Sequence, residues 1–134
     1  VPSPSRDRAP KAALTVLVAV LGLLLAAPSA LALTLHVDTV EDRSGGTCGV
    51  GPSCSLREAL EVVNEGAGVA GDVTIDFSTT GTIELGVLGE LELDPQAGVD
   101  SVSIVGPGTP SQLKIDAQEA SRVLSIVKGD VAIS

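Results

Sequence analysis

Few side chains in this sequence can do chemistry. There is one histidine, one phenylalanine and two cysteines, with no tryptophan, tyrosine or methionine. Cys48 and Cys54 bracket Gly49-Val50-Gly51-Pro52-Ser53, and glycine with proline makes so tight a loop easy to close. A disulfide there would contribute about 2 kcal/mol in the chain-entropy model, less any strain. Two free thiols are the second reading. A zinc site is the third, and it is short of ligands, because four are usual and His36 is the only other soft donor. His36 could serve as a general base, but no serine or cysteine nucleophile with a supporting acid stands near it. The expectation is an exposed strand histidine, with no metal and no cofactor.

Paired carboxylates are the other route to catalysis, one donating a proton while the other activates water. The outward acids of the strands described below are Asp76, Glu84, Glu92 and Asp116. The expected register puts Asp76 and Glu84 on different faces and stacks Glu84 on Lys114, so no catalytic residue is assigned. Carbohydrate and single-strand binders usually offer aromatic platforms, and alternation places Phe77 inside. Gly106-Pro107-Gly108 neither follows a GxxxxGKS/T pattern nor opens a helix, so it reads as a turn.

The elements that must position these residues begin after a leader. Arg6, Arg8 and Lys11 form a positive region, Leu14–Ala27 is apolar, and Ala30-Leu31-Ala32 is an A-x-A cleavage site. The apolar run is short for a membrane span, which needs about 20 residues. The expectation is a helical signal peptide over 1–32, with membrane contact only during export. Its removal takes three basic residues and one acidic (Asp7) from totals of 8 and 17, leaving a charge of −11. Such acidity argues against nucleic acid and anionic membranes. No calcium-loop pattern accompanies it, and solubility in an exported protein accounts for it. Two close cysteines fit an oxidising compartment.

Leu33-Thr34-Leu35-His36-Val37 alternates and reads as a first strand, with Leu33, Leu35 and Val37 inward. After Cys54 the period changes. Ser55 and Glu58 form a capping box, and Leu56, Ala59, Leu60 and Val63 recur at helical spacing. Arg57 can bridge to Glu61, as an i,i+4 pair, or to a strand carboxylate, and Gly66 or Gly68 can supply a left-handed C-cap. A helix this short needs a surface, so its expected job is to cover the first open edge and mouth of a β core.

From Asp72 the period is two. Val73–Phe77, Ile83–Leu85, Leu91–Leu93, Val102–Ile104, Leu113–Ile115, Leu124–Ile126 and Val131–Ile133 alternate between turn residues. Spacing alone allows an antiparallel sandwich or a solenoid. Very short strands and scarce aromatics favour the solenoid. So does a repeat near 29 residues running Thr74, Ser103, Ala132, with Glu84 and Lys114 separated by 30.

Cys54-Ser55-Leu56-Arg57-Glu58-Ala59 resembles the signature of the CSLREA domain. The upstream Cys48, Asn64 at the helix end, and Asp72–Phe77 in place of a DTITF-like strand extend the resemblance over 33–77. The family implies an N-terminal cap before right-handed parallel β-helix repeats of the pectate-lyase type. The fold class expected is therefore mainly β: signal peptide 1–32, cap 33–71, and the first two or so coils of a parallel β-helix over 72–134. The chain stops at Val131-Ala132-Ile133-Ser134 without a closing cap, and the expectation is the front of a longer protein or a truncated product. Structural roles are expected for Ser55, Leu56, Arg57, Glu58, Ala59 and Asn64. The functional expectation is a module of an exported surface or extracellular protein, structural or adhesin-like. Its compartment is the periplasm, the cell surface or the outside, and its candidate partners are polysaccharide or cell-surface components. The alternative is the non-catalytic front of a secreted polysaccharide lyase or glycoside hydrolase.

Overall fold

A computed structural model describes residues 2, 32–46, 48, 53–119 and 122–134. The signal peptide expected over 1–32 lies almost wholly outside them. The described chain is mainly β, with eight strands and one helix among the described residues. In order these are β1 (Leu33–Val37), α1 (Leu56–Glu65), β2 (Gly71–Phe77), β3 (Gly81–Glu84), β4 (Leu91–Leu93), β5 (Val99–Val105), β6 (Leu113–Asp116), β7 (Leu124–Ile126) and β8 (Asp130–Ile133).

Every strand pair is parallel. One sheet runs β1-β2-β5-β8, and two smaller sheets are β3-β6 and β4-β7. From β2 onward the chain visits the three sheets in rotation, so β3 and β4 follow one another without pairing. Strands this short cannot bury a core alone, but inward positions of all three sheets converge. Val73, Ile75, Ile83, Leu85, Leu91, Leu93, Val102 and Ile104 form one buried cluster with Leu35 and Val37. Thr34 and His36 alternate outward from β1, as the period-two pattern requires.

The 29-residue repeat holds in the largest sheet, where Thr74 faces Ser103 and Ser103 faces Ala132. It fails in the second. Glu84 faces Asp116, not Lys114; Lys114 faces Thr82, and Ile83 faces Ile115 at a separation of 32. The connection into β6 spans 106–112 where the one into β3 spans only 78–80. The longer Gly-Pro-Gly-Thr-Pro turn shifts the strand two places from the expected pairing of Glu84 with Lys114.

Helix α1 begins as the capping box dictates. Glu58 N–H donates to Ser55 Oγ at 3.2 Å, and Ser55 N–H donates to Glu58 Oε2 at 2.8 Å. Its apolar stripe, Leu56, Ala59, Leu60 and Val63, is buried in the common core, and the helix packs against β4 and β1. The helix thus lies on the common core beside the first strand. Of the two glycines expected to offer a left-handed residue, Gly68 takes it, at φ 84°, while Gly66 at the C-cap is extended, with φ −63° and ψ 113°. Glycine is needed at 66 for room instead: a Cβ there would sit 2.3 Å from the Val62 carbonyl oxygen.

Candidate functional site

A polar constellation gathers where the loop after β1 meets the start of α1. Cys48 and Cys54 are joined by a disulfide, with Cα atoms 4.8 Å apart. Cys54 is held independently, because its N–H donates to Asp38 Oδ1 at 2.7 Å and its carbonyl accepts from Asp38 N–H at 3.1 Å. Arg43 reaches Ser53 Oγ at 2.7 Å and Glu58 Oε2 at 3.3 Å. Ser55 Oγ donates to the Arg43 carbonyl at 3.0 Å. Loop and helix start are therefore laced together by side chains from both.

Arg57 does not pair with Glu61. Its guanidinium takes Asp42 in two bonds, Nε to Oδ1 at 2.7 Å and Nη2 to Oδ2 at 3.0 Å. It also donates to the carbonyls of Gly89 (2.7 Å) and Glu90 (3.1 Å). Both charged groups are nearly buried, with side chains 11% and 6% exposed. Glu61 turns instead to Ser44 Oγ at 2.5 Å and Gly45 N–H at 2.8 Å. The loop arrives on the side of Arg57 and Glu61 and offers each a better partner than the other. Asn64 fastens the far end of the helix, donating to the Glu92 carbonyl at 3.0 Å and accepting from Asp94 N–H at 2.8 Å. Leu56 and Ala59 serve the apolar face.

The sequence did not single out Asp38, Asp42 or Arg43. The only signal was the charged run Glu41-Asp42-Arg43 ahead of the cysteines, and no spacing rule connects a loop residue to a helix fifteen positions on.

The outward groups are spread over separate sheets. His36 Nδ1 donates to Asp76 Oδ1 at 2.5 Å across β1 and β2, with the imidazole largely exposed. Glu84 and Asp116 lie side by side on β3 and β6, an adjacency of two acids that the expected register had excluded. Lys114 Nζ is 2.7 Å from Asp116 Oδ2. That hydrogen bond, with the backbone N–H of Gln118, holds the Asp116 carboxyl below the usual carboxylate range. The same bond raises the Lys114 ammonium, with the Asp116 and Glu84 charges adding. Asp116 is thus poised against acting as a proton donor. Among the described residues, no group of three or more histidines, cysteines or acids is placed to hold a metal ion.

No helix among the described residues is long and apolar enough to cross a membrane. The disulfide is compatible with an extracellular protein. Compared with known proteins, the chain matches no family model, no curated sequence and no solved structure.

Proposed function

We propose that this chain is the N-terminal module of an exported surface or extracellular protein, structural or adhesin-like, opening a right-handed parallel β-helix under a CSLREA-type cap. The cap is 33–71 and the first coils are 72–134. The observation that carries the reading is the rotation of the chain among three parallel sheets around one core, with α1 packed on it against β1 and β4. A side-chain network at the signature that binds loop to helix fits a cap better than an active site. A catalytic reading of this segment would lean on Glu84 and Asp116, and Asp116 is already engaged by Lys114 at 2.7 Å.

Export is tested by fusing the chain to a phosphatase that is active only outside the cytoplasm, in a bacterial host. Phosphatase activity and a new N-terminus at Leu33 are expected. Retention inside the cell with 1–32 intact would overturn export. Incubation of the exported protein with polygalacturonate tests for activity in this segment: no new reducing or unsaturated ends are expected, whether the module fronts a structural protein or a lyase, and their appearance would overturn the absence of an active site that both readings share.

A further inference from the structure

The turn Gly86–Gly89 carries two aliphatic side chains into water. Val87 is 104% exposed and Leu88 48%. Exposed singly, such residues need no explanation, but here the pair is held from below. Gly89 N–H closes the turn onto the Gly86 carbonyl at 3.1 Å. Arg57 grips the Gly89 and Glu90 carbonyls, and Asp42 Oδ2 accepts from Gly86 N–H at 3.4 Å. A nearly buried ion pair thus presents two apolar side chains in a fixed position, with little ordering left to lose on contact.

Beside the turn lies a shallow groove of about 610 Å³ over the outer face of β3, whose lining includes Val40, Glu41, Glu84, Val87, Leu88 and Asp42, the last already paired with Arg57. Its charge is unbalanced. Glu84 stands next to Asp116, while the one cation on these two strands, Lys114, is committed to Asp116. Glu84 takes a hydrogen bond from Gln118 and enters no ion pair among the described residues. Glu41 is 66% exposed, and its cation, Arg43 at 3.5 Å, also serves Glu58. The groove therefore combines an aliphatic end wall with carboxylates short of positive charge.

We propose that this groove docks a cationic polypeptide segment, one that sets an aliphatic residue against Val87 and Leu88 and a lysine or arginine against Glu84 and Glu41. Nucleic acids, anionic lipids and acidic glycans are repelled by the same carboxylates. A neutral glycan would find no aromatic platform.

The test titrates the full chain, carrying labelled methyl groups, with an end-blocked peptide of alternating leucine and lysine, followed by nuclear magnetic resonance. A leucine–glutamate peptide runs in parallel. Shifts confined to Val40, Val87 and Leu88 are expected, weakening as salt is added. The double variant V87S/L88S should bind about tenfold more weakly, having lost its aliphatic wall. E41Q/E84Q should bind several-fold more weakly and lose most of its salt dependence. All four positions are exposed or at the rim, so unchanged circular dichroism separates lost binding from lost folding. Equal binding of the leucine–glutamate peptide, or binding indifferent to V87S/L88S, would overturn the proposal.

Discussion

Arg57 is the residue on which most separate parts of the molecule converge: loop, helix and the turn before β4. Moving a guanidinium and a carboxylate out of water is costly, and their attraction offsets it only with good geometry and further hydrogen bonds. Both conditions are met here. Arg57→Ala should therefore destabilise the fold by about 3–5 kcal/mol, chiefly by leaving Asp42 buried and unpaired. The double variant R57M/D42L should recover most of that loss in urea denaturation. A single-variant loss below about 1 kcal/mol would mark the pair as an ordinary surface bridge. The sequence located Arg57 but offered it Glu61 or a strand carboxylate, because neither helical spacing nor strand alternation points to a carboxylate in the loop. A milder prediction concerns Lys114 and Asp116. With Asp116 lowered and Lys114 raised, their mutual stabilisation is present at neutral pH. It is lost as pH falls through the lowered Asp116 value, and again as pH rises through the raised Lys114 value. In a carboxyl titration by nuclear magnetic resonance, Lys114→Met should move Asp116 up toward the ordinary carboxylate range. No movement would assign the shift to Gln118 alone.

At the scale of elements, α1 shows which signals a sequence carries well. Its start was legible because the capping box and the apolar stripe are local patterns, each with a single physical meaning. Ser55→Ala should cost about 1 kcal/mol in thermal or urea unfolding. Its C-terminal geometry was not legible, because glycine serves both a left-handed turn and a crowded approach, and the Val62 carbonyl decides between them at Gly66. The disulfide raises a similar point about redundancy. Asp38 and Arg43 hold Cys54 and Ser53 without any help from sulfur. Reduction should therefore cost about 2 kcal/mol of stability while the helical circular dichroism persists. Loss of the helix signal on reduction at room temperature would show that the polar staples do not suffice.

Across the whole molecule, strand positions were readable and stacking register only partly so. Alternation fixes which side chains turn inward, and a wrong phase would expose the whole apolar set. A slip of two residues keeps every side chain on its face, so the pattern cannot exclude it. That is the error at β6: Lys114 was expected against Glu84 and stands against Thr82. The apolar register in the largest sheet was readable because the connections returning to it offset the longer turn at 106–112, restoring a separation of 29. Cysteine pairs can test the observed stacking. Neighbouring parallel strands lie about 4.8 Å apart, and two residues along a strand add about 6.6 Å. Residues directly opposed thus fall within the Cα range of roughly 4.4–6.8 Å that a disulfide needs, and a diagonal pair near 8 Å does not. The variant T82C/K114C should cross-link under mild oxidation, and E84C/K114C should not. The opposite result would restore the 30-residue register. Failure of both, with the native Cys48–Cys54 bridge intact, would deny that β3 and β6 are neighbours at all.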